Sequence, residues 1–169
     1  NYSNSTTPPA CTLYTAPSDK KVRVLEDNAG LAEKYASAPK PEFMTVTTAE
    51  GITMDAYMIK PTAFDQSRRY PLIITQYSGP GSQEVLDRWK VDWTQYAAIH
   101  GYIVLCVDAR GTGGKGRAWE TIVYKNLGHY EAIDLRGAAR WAATLPYVDP
   151  ARIGLTGWSY GGYQTLMTI

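Results

Sequence analysis

The feature that most constrains this chain is a short glycine-rich turn around Ser159. An apolar run at residues 153–156 precedes the turn, and a segment of helical character at residues 163–167 follows it. Gly157 and Gly161 flank the serine in the pattern G-x-S-x-G. A chain that turns from strand to helix at the serine crowds its neighbours, and only glycine lacks the Cβ that would clash. The sequence therefore predicts that Ser159 stands at the tip of a sharp strand-to-helix turn.

A serine in such a turn is typical of a catalytic nucleophile. Its hydroxyl lies at the N-terminal end of the following helix, where free N–H groups and the helix dipole stabilise an oxyanion. The backbone N–H of the next residue, Tyr160, is the first expected oxyanion donor. A purely structural glycine-rich turn is the alternative, because glycine and serine are common in turns. The strand before the motif and the helix after it favour the nucleophile.

Apolar strands alternate with helical segments upstream of the turn. Strands are expected at residues 71–76, 102–107 and 153–156, and helices at residues 91–100 and 129–145. Uninterrupted apolar strands separated by helices are typical of a parallel sheet with right-handed crossovers. The sequence therefore predicts an α/β fold for the main domain, residues 39–169.

The first part of the chain differs in character and is predicted to be a separate unit, residues 1–38. Residues 1–10 are rich in Asn, Ser, Thr and Pro, and are expected to be irregular. Strands at residues 11–15 and 21–26 are expected to form a hairpin, and residues 29–35 a helix.

A proline-rich link follows this helix, and a second hairpin is expected after the link. Its strands are predicted at residues 43–47 and 53–59, with a turn at Gly51. Met54, Ala56 and Met58 should share one face of the second strand, because side chains alternate along a strand.

Composition excludes several classes of function. The 169 residues carry 17 basic and 16 acidic side chains, so nothing favours nucleic acid or an acidic membrane surface as a partner. Cys106 lies in an apolar run and is expected to be buried, and its spacing from Cys11 suggests neither a disulfide framework nor a metal site. We expect no metal and no cofactor.

A second glycine-rich turn follows the first apolar strand and contains Tyr77. It lies at the carboxyl end of a strand, where α/β sheets bind their ligands. Gly79 and Gly81 should let the backbone approach a substrate. The Tyr77 phenol could donate a second hydrogen bond to an oxyanion. A tyrosine that only completes the core at a strand end fits these residues equally well.

The loop at residues 108–116 is also glycine-rich, but it does not match a phosphate-binding loop. It lacks the G-K-[ST] ending, and its glycines are not spaced as G-x-G-x-x-G. Asp108 and Arg110 are expected to pair with loop backbone and to support the floor of the site.

Ser159 needs a base, and the sequence offers no suitable histidine. In hydrolases built on this turn the order along the chain is Ser, then Asp or Glu, then His. His100 and His129 both precede Ser159 and are expected to be surface residues at helix ends. We therefore expect a partial chain of a longer enzyme, with an unpaired sheet edge through which it could associate.

Several motifs along the chain point to one family. They are Gly157-Trp158-Ser159-Tyr160-Gly161-Gly162-Tyr163, Tyr77-Ser78-Gly79-Pro80, Asp108-x-Arg110-Gly111-x-Gly113 and Asp149-x-x-Arg152-Ile153. Together they resemble the prolyl oligopeptidase family of serine peptidases, in its dipeptidyl-peptidase IV branch. The resemblance covers nearly the whole chain from about Leu13.

The resemblance implies a β-propeller joined to an α/β-hydrolase domain, with residues 1–38 containing the end of the propeller. It implies release of N-terminal dipeptides from peptides with proline, less often alanine, in second position. Ser159 matches the nucleophile, Tyr77 the oxyanion tyrosine, Tyr160 the backbone donor, and Trp158 the border of the substrate site.

By the same resemblance, the triad Asp and His and the amine-binding glutamates lie outside this sequence. A homo-oligomer is implied, as is a secreted, periplasmic or membrane-anchored location. Two alternatives stay open. One is another acyl hydrolase, such as an esterase or an acylaminoacyl peptidase, and the other is a non-catalytic fragment.

Overall fold

The computed structural model describes all of residues 1–169 and contains two sheets and five helices. The N-terminal elements are β1 (Tyr2–Asn4), β2 (Thr7–Thr15), β3 (Lys20–Glu26) and α1 (Ala29–Lys34). The elements that follow are β4 (Pro41–Thr47), β5 (Thr53–Ile59), β6 (Tyr70–Thr75), α2 (Trp93–Ile99), β7 (Ile103–Asp108), α3 (Arg117–Thr121), α4 (His129–Ala143), β8 (Val148–Thr156) and α5 (Tyr160–Thr168).

The larger sheet has five strands in the order β4-β5-β7-β6-β8. Strand β6 pairs in parallel with β7 on one side and with β8 on the other. The predicted parallel arrangement of these three strands is therefore confirmed. The sheet as a whole is mixed, because the hairpin of β4 and β5 adds to it through an antiparallel pairing of β5 with β7. The α/β class is confirmed, and the second predicted hairpin, which the sequence did not assign to this sheet, makes it mixed.

Helices cover both faces of the sheet, and strand β7 shows this most clearly. All six of its residues are buried. Alternate residues Ile103, Leu105 and Val107 pack in one cluster with side chains of α4. Val104 and Cys106 pack in the other cluster, with side chains of α2. This alternation follows from the two-residue period of a strand, and it confirms the predicted burial of Cys106.

The predicted face of β5 is confirmed by the same two clusters. Met54, Ala56 and Met58 lie in the cluster beneath α4. Tyr57 and Ile59 point to the opposite face and pack on the α2 side. Burial of the Tyr57 phenol, with Cys106 beside it, raises its pKa far above the usual range. Both faces of β5 therefore pack in the hydrophobic core.

The N-terminal region contains more strand than the sequence predicts. The predicted hairpin is confirmed, since β2 and β3 pair antiparallel. The prediction that residues 1–10 are irregular is wrong, because β1 pairs with the first part of β2. Backbone hydrogen bonds to a neighbouring strand can order a polar segment that shows no alternation of apolar side chains. The division of the chain at residue 38 stays a prediction.

Strand β8 lies at the edge of the larger sheet. It pairs with β6 along one side, and its other side has no partner strand among these residues. Association through this edge stays a prediction. None of the five helices has the length and apolarity that a membrane span requires.

Candidate active site

The turn between β8 and α5 places Ser159 at its tip. Strand β8 ends at Thr156, α5 begins at Tyr160, and Ser159 is the residue that caps the helix. Its backbone has φ 55° and ψ −118°, a conformation rare for a residue with a side chain. Such a conformation costs about 1–3 kcal/mol and is typical of functional sites. The side chain is exposed, as the sequence predicts for this turn.

Close packing explains both glycines of the G-x-S-x-G pattern. A Cβ at Gly157 would lie 2.5 Å from the carbonyl of Gly161 and 2.7 Å from Nε2 of Gln76. A Cβ at Gly161 would lie 2.6 Å from the carbonyl oxygen of Gln76 and 3.2 Å from Cα of Tyr77. The crowding comes partly from within the turn, as predicted. It also comes from the end of β6, which the sequence could not place there.

The structure brings Tyr77 to the same turn. Strand β6 lies between β7 and β8, so the residues that follow it emerge where the strand order reverses. The rings of Tyr77 and Tyr160 have centroids 6.2 Å apart, with their planes inclined by 50°. Gly79 was expected to admit a substrate, but the Tyr77 ring occupies the space next to it. Ser159, Tyr77 and Tyr160 thus form one group at the carboxyl edge of the sheet.

The hydroxyl of Tyr160 forms a hydrogen bond with a buried carboxylate. It donates to Oε1 of Glu131, 2.9 Å away, while Oε2 of Glu131 accepts from the backbone N–H of Gly128 at 3.0 Å. Glu131 is completely buried. Burial and the hydrogen-bonded Glu131 carboxylate together raise the pKa of the Tyr160 phenol. Only the backbone N–H of Tyr160 is left to serve an oxyanion.

A cleft of about 390 Å³ opens beside this group. Trp158 stands at its rim with 87 % of its surface exposed, so it is not a core residue. Tyr77 and Gly157 line the cleft, together with Thr75, Gln76, Glu84, Lys90, Trp93 and Thr156. The cleft thus lies next to the Ser159 turn, and its lining combines aromatic side chains with Glu84 and Lys90.

Asp108, the last residue of β7, binds backbone of the segment that follows β6. Its buried carboxylate accepts from the backbone N–H groups of Glu84, at 3.0 Å, and of Val85, at 2.9 Å. Burial nevertheless raises the pKa of Asp108. The predicted pairing of Asp108 with loop backbone is confirmed.

The corresponding prediction for Arg110 is wrong. Its guanidinium forms a two-pronged ion pair with Asp134 of α4, with Nε at 3.0 Å and Nη2 at 2.6 Å from the carboxylate. The guanidinium also lies 4.9 Å from the ring centre of Tyr130. A planar fork that matches a carboxylate forms stronger bonds than those to a neutral carbonyl. Asp134 is 24 residues away in the sequence, and no local spacing indicates the pair.

The chain resembles known proteins in sequence and in fold. Residues 89–169 match the model of the prolyl oligopeptidase family. The crystal structure of Porphyromonas gingivalis dipeptidyl peptidase 4 superposes with a TM-score of 0.94 at 46% sequence identity, over 99% of this chain and 24% of that one. The chain belongs to the prolyl oligopeptidase family.

Curated relatives in this family are considerably longer. "Probable dipeptidyl-aminopeptidase B" of Emericella nidulans is 44% identical over 151 residues, which are 88% of this chain and 17% of that protein. The protein of the same name from Trichophyton verrucosum is 41% identical over 162 residues, or 93% of this chain and 18% of that protein. The chain thus spans less than a fifth of the length of either relative.

Both histidines lie at helix ends, on the surface of the protein. His100 ends α2, is exposed, and has Nδ1 2.8 Å from the carbonyl oxygen of Tyr96. His129 begins α4, is exposed, and packs edge-on against Tyr130. Both positions agree with the predicted surface roles, and neither residue lines the cleft beside the Ser159 turn. No group of three His, Cys, Asp or Glu side chains is arranged to bind a metal ion.

Replacing Tyr160 with phenylalanine tests the buried hydrogen bond. We expect the free energy of unfolding to fall by about 1–3 kcal/mol, because Glu131 stays buried and loses a donor. Urea denaturation of the full-length protein measures this. Tyr163→Phe is the control: its exposed hydroxyl donates to the carbonyl of Leu127 at 3.3 Å, and its loss should cost less than about 0.5 kcal/mol. Equal effects would contradict the role of Glu131.

Proposed function

We propose that this chain supplies the nucleophile and the oxyanion hole of a serine exopeptidase, which releases N-terminal dipeptides from peptides with Pro or Ala in second position. The backbone of Ser159, held at the tip of the turn beside Tyr77, carries the proposal. The names of the similar proteins support it, since each is called a dipeptidyl peptidase or dipeptidyl-aminopeptidase.

Ser159 acts first in the proposed mechanism. Its Oγ attacks the carbonyl carbon of the second substrate residue and gives its proton to a base. The carbonyl oxygen becomes an oxyanion, which accepts hydrogen bonds from the Tyr77 hydroxyl and the Tyr160 N–H. The C–N bond then breaks as the leaving amine takes a proton. Water attacks the resulting ester, and the dipeptide leaves with a free carboxylate while Ser159 regains its proton.

The base and its orienting carboxylate are proposed to come from parts of the protein outside these 169 residues, as are the acidic groups that bind the substrate amine. Residues 1–38 would then contain the end of a propeller, and residues 39–169 the N-terminal half of an α/β-hydrolase domain. The open edge of β8 fits continuation of the sheet or association with a second copy. A secreted, periplasmic or membrane-anchored location is proposed from the family alone.

Covalent labelling tests the proposed function. The full-length protein is treated with a fluorophosphonate, its intact mass is measured, and the modified peptide is sequenced. We expect one adduct per chain, on Ser159, and hydrolysis of Gly-Pro arylamide in preference to a p-nitrophenyl ester. Labelling with ester hydrolysis alone would indicate a different acyl hydrolase. Absence of both labelling and hydrolysis would indicate a non-catalytic protein.

A further inference from the structure

Gln76 lies directly beneath the turn that carries Ser159. Only 4% of its surface is exposed. Its Nε2 donates to the carbonyl oxygen of Gly161 at 2.8 Å and to Oγ1 of Thr165 at 3.3 Å. The same atom fills the space that a side chain at Gly157 would need. The Gln76 amide therefore contacts the turn on both sides of the serine.

These contacts connect the two groups that would donate to an oxyanion. Gln76 precedes Tyr77, and Gly161 follows Tyr160, so the amide joins the immediate neighbours of the two donors across 85 residues of sequence. The backbone of Gln76 is tied in the same way. Its N–H donates to the carbonyl oxygen of Thr156 at 3.3 Å, and its own carbonyl faces Gly161.

We propose that Gln76 is a positioning residue of the oxyanion hole, whose amide fixes the separation between the Tyr77 hydroxyl and the Tyr160 N–H. The inference rests on the function proposed above. Packing alone does not account for an amide at this site. Its Oε1 is buried and has no hydrogen-bond donor, whereas leucine or methionine would fill a similar volume without burying an unpaired acceptor.

The chain contains a matched control for this residue. Gln164 lies on α5, the helix that the Gln76 amide contacts, and is completely buried. Its Nε2 donates to the carbonyl of Gly128 at 3.4 Å, and its Oε1 also lacks a donor. It thus resembles Gln76 in burial and in hydrogen bonding, but its side-chain amide forms no hydrogen bond with the end of β6, with Tyr77 or with Tyr160.

The test compares Gln76→Leu and Gln76→Met with Gln164→Leu in the full-length protein. For Gly-Pro arylamide, we expect both Gln76 variants to lower kcat by about 10–100-fold. This is less than the effect of removing an oxyanion donor, because both donors are still present but are less well positioned. KM should change by less than about threefold, since the amide acts on transition-state stabilisation. Gln164→Leu should lower the melting temperature comparably and leave kcat within about threefold. Met is the more adaptable replacement if Leu prevents folding.

A double-mutant cycle separates positioning from a general structural effect. In a Tyr77→Phe background, Gln76→Leu should lower kcat by less than about threefold, because the donor that it positions is already absent. An undiminished effect in that background would overturn the inference, as would Gln76 variants with kcat within threefold of an active wild type. A wild-type protein without turnover would refute the proposed function, and the inference with it.

Discussion

Ser159→Ala is expected to abolish turnover of Gly-Pro arylamide by the full-length protein, with kcat falling by roughly 10⁴–10⁶-fold. The hydroxyl is the attacking atom of the proposed mechanism, and no neighbouring group replaces it. The fold should persist, because Ser159 is exposed and its side chain makes no capping hydrogen bond to α5. Alanine and serine both carry a Cβ, so the substitution adds no steric strain at the φ of 55°.

Steady-state kinetics and the melting temperature of the same sample measure this outcome. Ser67→Ala is a suitable control, since Ser67 is an exposed loop serine before β6, and its Oγ donates to Asp65 at 2.7 Å. The control should retain full activity and react with the fluorophosphonate, whereas Ser159→Ala should do neither. A fall in kcat of less than about tenfold in Ser159→Ala would show that another residue is the nucleophile.

Tyr77→Phe should lower kcat by about 10²–10³-fold, as the loss of a single oxyanion donor does. Phenylalanine keeps the ring that faces Tyr160 at 6.2 Å, so the cleft should keep its shape. The hydroxyl is proposed to act only on the developing negative charge. KM should therefore change by less than about threefold.

Initial rates over a range of arylamide concentrations separate kcat from KM for this variant. Tyr96→Phe is the control, because Tyr96 is an exposed tyrosine of α2 whose ring lies against His100, with the ring centroids 4.1 Å apart. Its kinetics should match the wild type. If Tyr77→Phe retained the wild-type kcat, Tyr77 would be a tyrosine that only completes the core at the end of β6.

The sequence by itself determined the features that depend on neighbours along the chain. The strand-to-helix turn at Ser159, the burial of β7 and the faces of β5 follow from glycine chemistry and from the period of apolar residues. The carboxyl-end position of Tyr77 follows in the same way. Each of these features depends on residues only a few positions apart, so it can be predicted from the sequence pattern.

Only the tertiary structure decided which of these segments meet. It placed β6 between β7 and β8, and so brought Tyr77 beside Tyr160. It also revealed the partners that no motif indicates: Asp134 for Arg110, Glu131 for Tyr160, and Gln76 for Gly161. These pairs are separated by 24, 29 and 85 residues. These pairs form only when the strand order and the helix packing bring distant segments together, and both depend on the packing of the whole core. The spacing of residues along the chain indicates only local structural preferences.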